Sequence, residues 1–170
     1  ATAIYIDGES QGHLIKNNMI HVNTKREQIA IDGSAHNRIV GNKFPSIKLG
    51  GIFLYRNCGE FGAVRYMTPS HNHIINNQFT HKKDIELVPS IWIGSRAGIS
   101  PFCDDDAQWS ELGGSAANDG DFAKFNVVTR NQVLGRSPSY SIIPLNAPNY
   151  IFDNDQVNSM KDRRSGCYLK

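Results

Sequence analysis

The stretch Asn72-His73-Ile74-Ile75-Asn76-Asn77-Gln78-Phe79 decides the fold, because it recurs along the chain. Asn37-Arg38-Ile39-Val40-Gly41-Asn42-Lys43-Phe44 is a second copy and Asn126-Val127-Val128-Thr129-Arg130-Asn131-Gln132-Val133 a third. His13 to Ile20 follows the same pattern with His in place of the first Asn, and Asn149 to Val157 follows it with one extra residue after Asn154. The unit is Asn-x-apolar-x-x-Asn-x-apolar, and a recurring unit outranks other signals because it implies stacked copies of one small structure.

A second pattern precedes each copy. Ile4-Tyr5-Ile6-Asp7, Ile29-Ala30-Ile31-Asp32, Ile52-Phe53-Leu54-Tyr55, Ile91-Trp92-Ile93-Gly94 and Ile143-Pro144-Leu145-Asn146 place apolar residues two apart. That alternation belongs to a strand with one buried face. Two short strands per turn, repeated, predict a coil of strands in which equivalent residues lie roughly 4.8 Å apart. Each turn then buries its aliphatic side chains against its neighbours. Asn18, Asn42, Asn77, Asn131 and Asn154 fall where the second strand bends. Left-handed backbone at these asparagines, and a ladder of side-chain amides along the coil, are the expectation.

Over residues 4–157 these repeats resemble the right-handed parallel β-helix proteins of the pectate-lyase-like superfamily. The resemblance implies an all-β, right-handed parallel β-helix of about five turns, here spanning 1–158 with a polar tail at 159–170. It also implies a substrate class, long acidic or neutral polysaccharides lying along the coil. The short signatures around the catalytic residues of those families are not matched, so no catalytic residue is carried over. Because the first strand begins at Ile4 with no amphipathic helix before it, the expectation is the C-terminal part of a longer coil, or a coil end covered by another chain.

Eighteen Lys and Arg stand against 16 Asp and Glu, a formal charge of +2, and no basic run interleaves with aromatics. Nucleic acid is not an expected partner. The apolar runs are only a few residues long, so no membrane span is expected. Lys25-Arg26-Glu27 reads as a solvated turn.

Two turns carry insertions after the first strand: Arg56 to Ser70 on the third, including an added strand near Val64 to Met67, and Ser95 to about Phe122 on the fourth. Long loops from one corner of neighbouring repeats mark a binding face. Cys58 and Cys103 sit in these two insertions, where a disulfide between them would staple the loops and imply an oxidising compartment; Cys167 is the third cysteine.

With Ile4 and Ile6 inward, one outward column reads Tyr5, Ala30, Phe53, Trp92, Pro144 and the other Asp7, Asp32, Tyr55, Gly94, Asn146. An aromatic stripe suits sugar rings, whose C–H faces stack on Tyr and Trp; the competing reading is a stripe covered by loops or a neighbouring chain. Asp7 and Asp32 would be neighbouring carboxylates, either a general acid with its partner or a Ca²⁺ site. The competing reading is turn chemistry, since both precede Gly. Arg56 and Arg96, with Glu60 and Arg65, form a mixed-charge cluster that suits proton abstraction beside a uronate carboxylate or, equally, a loop-fixing network. His36 and His71 align ahead of the first Asn, with His73 two residues on, and read as surface turn residues.

The candidate site is therefore Arg56, Arg96 and Asp32 as catalytic groups, Tyr5, Tyr55, Phe53, Trp92, Glu60 and Arg65 against substrate, and Asp7 with Asp32 for Ca²⁺. The function expected is a secreted, cell-surface or periplasmic protein that binds or processes polysaccharide as a lyase, epimerase or hydrolase. The alternative is a non-catalytic coil of an adhesin, a phage tail fibre or an extracellular assembly.

Overall fold

The structure is a computed structural model that describes residues 1–56, 67–81, 88–94, 123–135, 137, 141–144 and 148–157. In chain order the strands are β1 (Ile4–Ile6), β2 (Leu14–Lys16), β3 (Ile29–Asp32), β4 (Arg38–Val40), β5 (Lys43–Ile47), β6 (Ile52–Tyr55), β7 (His73–Ile75), β8 (Gln78–His81), β9 (Ile91–Ile93), β10 (Val127–Thr129), β11 (Gln132–Leu134), β12 (Ile142–Pro144), β13 (Tyr150–Phe152) and β14 (Asp155–Val157). They form three sheets, ordered β1-β3-β6-β9-β12, β2-β4-β7-β10-β13 and β5-β8-β11-β14, in which every pairing is parallel. Consecutive strands thus go to different sheets, and a strand pairs with its counterpart two positions on in the first turn, β1 with β3 and β2 with β4, and three positions on thereafter, the topology of a parallel β-solenoid.

Every repeat after the first contributes three strands rather than the expected two; the first contributes β1 and β2, with Met19 only bridging Lys43 where a third strand would stand. After the second Asn the chain turns and pairs again, so the final apolar residue of the unit, Phe44, Phe79 or Val133, lies on the third sheet. The bend at the second Asn was expected, but the repeat carries only one apolar residue beyond it, which gives no alternation from which a further strand could be read.

Inside the coil the repeat positions stack on themselves. Ile29, Ile52 and Ile91 make one fully buried column, Ile31, Leu54 and Ile93 a second, Ile39, Ile74 and Val128 a third. Phe44 and Phe79 stack at a centroid distance of 4.7 Å with ring planes 12° apart. A buried side chain of this size contributes about 1.5–3 kcal/mol, so the columns hold the coil together.

Two asparagine ladders run along the corners that bound the second sheet. In one, the backbone N–H and the Nδ2 amide of Asn18 donate to Oδ1 of Asn42, and Asn42, Asn77 and Asn131 repeat this toward Asn77, Asn131 and Asn154. The other links Asn37, Asn72, Asn126 and Asn149 in the same way, with the His13 amide at its head. The left-handed backbone lies not at these asparagines but one residue earlier: Asn17, Gly41, Asn76, Arg130 and Asp153 before one ladder, Gly12, His36, His71 and Phe125 before the other. The preceding residue makes the bend and the Asn side chain satisfies the amides the bend exposes.

Two registers differ from the repeat alignment. Ile142 pairs with Ile91 and Ile143 with Trp92, so Ile143 rather than Pro144 continues the outward column. Pro144 takes an edge-strand position, where a missing N–H breaks no ladder bond. Near the end of the chain no residue is extra: Gln156 aligns with Val133, a polar residue at the apolar position.

Candidate functional site

The outward face of the first sheet gathers most of the candidate residues that the structure describes. Tyr5, Ala30, Phe53 and Trp92 align in adjacent strands, as do Asp32 and Tyr55. Tyr5 is 45% exposed and Phe53 and Trp92 are half-buried, whereas Ala30 is fully buried. Trp92 meets Phe53 edge-on at 5.6 Å between centroids, and Tyr55 at 6.2 Å with planes tilted by 43°. The rings are positioned by the parallel register, which sets successive layers about 4.8 Å apart.

Gly50 fixes the inner edge of this platform. A Cβ there would sit 2.4 Å from the Phe53 ring, and Gly50 adopts φ +128°, open to glycine and to few other residues. The ring lies directly against the glycine backbone.

Tyr55 was expected to be an exposed contact residue and is instead buried, 2% exposed. Its hydroxyl donates to Glu27 Oε1 at 2.8 Å and accepts from Arg26 Nη2 at 3.3 Å, and Arg26 Nε lies 3.4 Å from Glu27 Oε2. Lys25 and Arg26 are exposed as a solvated turn would have them, but Glu27 is 3% exposed, a buried acid held between a Tyr and an Arg. Burial, and then the charge and hydrogen bond of Glu27, push the Tyr55 hydroxyl far above its ordinary value. For Arg26, burial works against the charge, but Tyr55 and Glu27 outweigh it and raise the guanidinium above its usual value. Sequence reading missed Glu27 because its partner lies 28 residues away, and only alignment extended upstream of each strand brings the two together.

Asp32 is fully buried and accepts a hydrogen bond from the Tyr5 hydroxyl. Asp7 is exposed, and its Oδ1 accepts the Gly8 amide at 2.8 Å. The two carboxylates expected to act as a pair thus differ in burial, each with its own donor. Among the described residues no group of three or more His, Cys, Asp or Glu is placed to hold a metal ion. Arg56 is largely buried at the end of the same sheet. Arg96, Glu60, Arg65, Cys58 and Cys103, as well as the added strand near Val64, lie outside the described residues. Past residues 57–66 the chain re-enters at Met67, whose amide donates to a Glu9 carboxylate oxygen at 3.1 Å, beside the first corner.

His36 and His71 stack face to face at 5.1 Å with planes 4° apart, and Phe125 continues the stack at 5.3 Å. His36, His71 and His73 are exposed, as expected for surface turn residues, and Phe125 is exposed beside them. No helix among the described residues is long and apolar enough to cross a membrane.

No protein-family model matches this chain, and neither curated proteins nor solved structures give a match.

Proposed function

We propose that the outward face of the first sheet binds carbohydrate, with a polysaccharide chain lying along the coil across Tyr5, Phe53 and Trp92. The observation that carries this reading is three aromatic side chains on one face, in register and reachable from solvent. Sugar C–H faces pack on such rings, and the repeat along the coil matches a polymer better than a single small molecule. The exposed Arg26 guanidinium and the Tyr5 hydroxyl, held by the buried Glu27 and Asp32 carboxylates, give the platform polar groups for sugar hydroxyls.

In the finer reading the solenoid is a right-handed coil of the pectate-lyase-like type, in keeping with the hand of parallel crossovers, and the protein works outside the cell or in the periplasm. Processing of the polysaccharide by lyase, epimerase or hydrolase chemistry would draw on Arg56, Arg96 and Asp32, with Ca²⁺ near Asp7 as a further element. The buried state of Asp32 and Glu27 favours binding over acid–base turnover, since a general acid or base must reach the reacting atom.

The test is affinity electrophoresis against pectate, alginate, glycosaminoglycans and neutral glucans, with assays for reducing ends and unsaturated sugar ends on the same panel. Retardation by at least one polymer that Trp92→Ala abolishes is the expected result. Unretarded migration through every gel would end the carbohydrate reading, and retardation without new ends would assign binding alone. A second reading, a non-catalytic coil within an extracellular assembly, is supported by apolar residues exposed on the second sheet, namely Leu14, Tyr150 and Phe152.

A further inference from the structure

The outward face of the second sheet differs from one edge strand to the other. Its two outward columns begin on β2 with Leu14 and Lys16 and finish on β13 with Tyr150 and Phe152. Leu14, Tyr150 and Phe152 are 59%, 56% and 50% exposed. Just beyond Phe152 stand Asp153 and, at the start of β14, Asp155, both exposed like Lys16. Among the described residues none of these three charges joins an ion pair; the one pair found there is Arg26 with Glu27. One edge is therefore aliphatic and basic, the other aromatic and acidic.

A contact between two copies through a two-fold axis uses the same patch twice, so the patch must complement itself. Rotation about an axis parallel to the strands reverses the coil and keeps position along each strand. It sets Leu14 of one copy over Tyr150 of the other, and Lys16 over Phe152 with Asp153 beside it. At both edges an apolar side chain meets an apolar one and a cation meets a ring and an acid; between the edges Ile75 meets Ile75 and Val40 meets Thr129, while Arg38 lies over Val127 and the two His73 side chains face each other at the axis. We propose that this chain forms a two-fold homodimer through the outward face of its second sheet, the two coils antiparallel, β2 against β13.

Size sets the strength. Five strands at about 4.8 Å spacing give a face roughly 20 Å tall, and with its corners on the order of 25 Å wide. That is on the order of 500 Å² per copy, below the roughly 800 Å² of a stable complex, so a weak, reversible dimer is expected. The proposal uses a different face from the carbohydrate platform and does not depend on it.

Sedimentation velocity of the full chain over a concentration series tests it, with circular dichroism to show that each variant is folded. The wild type should pass from monomer to dimer as concentration rises. Phe152→Glu should weaken dimerisation at least about tenfold, which corresponds to about 1.4 kcal/mol. Lys16→Asp and Asp153→Lys should each weaken it, while the double exchange, which sets Asp against Lys again, should recover most of the loss. Monomers throughout the series, or a dimer indifferent to all four variants, would overturn the proposal. Single exchanges that weaken the dimer with no recovery in the double variant would overturn the antiparallel pairing. Gel retardation by polysaccharide is read separately on Trp92→Ala, so the two readings fail independently.

Discussion

Asn42 and Asn77 occupy the same corner of adjacent layers, and the Asn42 backbone N–H and side-chain amide both donate to Asn77 Oδ1, at 2.9 and 3.1 Å. Asn77 in turn donates from Nδ2 to the Ile39 carbonyl at 2.9 Å and to Asn131 Oδ1 at 3.0 Å. Every one of these groups is buried, so removing the amide strands several polar atoms at once. Each buried group left unsatisfied costs about 1–3 kcal/mol. Asn77→Ala is therefore expected to destabilise the protein by about 3–5 kcal/mol. Asn154→Ala, at the partly exposed end of the same ladder, should cost about 1 kcal/mol because water replaces what is lost. Urea denaturation of the two variants measures the difference, and equal losses would show that the ladder carries no special stability in its interior.

The Phe44 and Phe79 rings lie inside the coil as the aromatic segment of the third sheet's inward column, which continues at Val133. Both rings are fully buried, and shrinking either opens a cavity between layers that the stiff strands cannot close. Phe79→Ala should cost about 3–5 kcal/mol, and Phe79→Leu much less because it keeps most of the volume. Thermal melts followed by circular dichroism test the order; a Leu variant as unstable as the Ala variant would mean that ring stacking, rather than filled volume, holds this column.

The solenoid was legible because its repeat is set by inward residues, and Ile39, Ile74 and Val128 recur at constant spacing from their asparagines whatever is inserted between. The third sheet was not: Gly41-Asn42 and Asn76-Asn77 mark the bend, but the repeat carries a single apolar residue beyond it, Phe44 or Phe79, too little alternation to read as a further strand. The slip at β12 has a similar cause. Ile142 and Ile143 are both apolar, and alternation cannot choose between them until Ile91 does so by pairing. At the site, the stripe of Tyr5, Phe53 and Trp92 followed from period-two alternation. Glu27 over Tyr55 did not, because a side chain that reaches across layers leaves no periodic trace.

Tyr55 makes stability depend on alkaline pH. In the unfolded chain a tyrosine ionises near pH 10, whereas in the fold burial and Glu27 keep the hydroxyl protonated far beyond that. Above about pH 10 the unfolded state binds fewer protons than the native one, so stability falls as pH rises, and it is fully present below that point. The melting temperature should therefore be insensitive to Tyr55 ionisation at neutral pH and decline on the alkaline side. Tyr55→Phe should be less stable than wild type near neutrality, because Glu27 loses a buried donor, yet should decline less steeply with alkali. Melting curves collected from neutral to strongly alkaline buffer decide this, and parallel declines in the two proteins would contradict the assignment.

Gly50 links backbone conformation to the carbohydrate platform. With φ at +128° and the Phe53 ring 2.4 Å from where a Cβ would stand, Gly50→Ala must both strain the backbone and push the ring off its seat. Phe53 meets Trp92 edge-on, so a displaced Phe53 also releases one side of Trp92. The variant should lose about 1–3 kcal/mol of stability, the usual cost of a strained backbone position, and should bind polysaccharide more weakly than wild type at a temperature where both are folded. Phe53→Ala separates the two effects, because it removes the ring without straining residue 50. If Gly50→Ala acts through the platform, the two variants should weaken gel retardation to a similar degree while differing in melting temperature. Retardation that is lost in Phe53→Ala but kept in Gly50→Ala would mean that the ring tolerates displacement, and that its apolar area rather than its seat on Gly50 matters for binding.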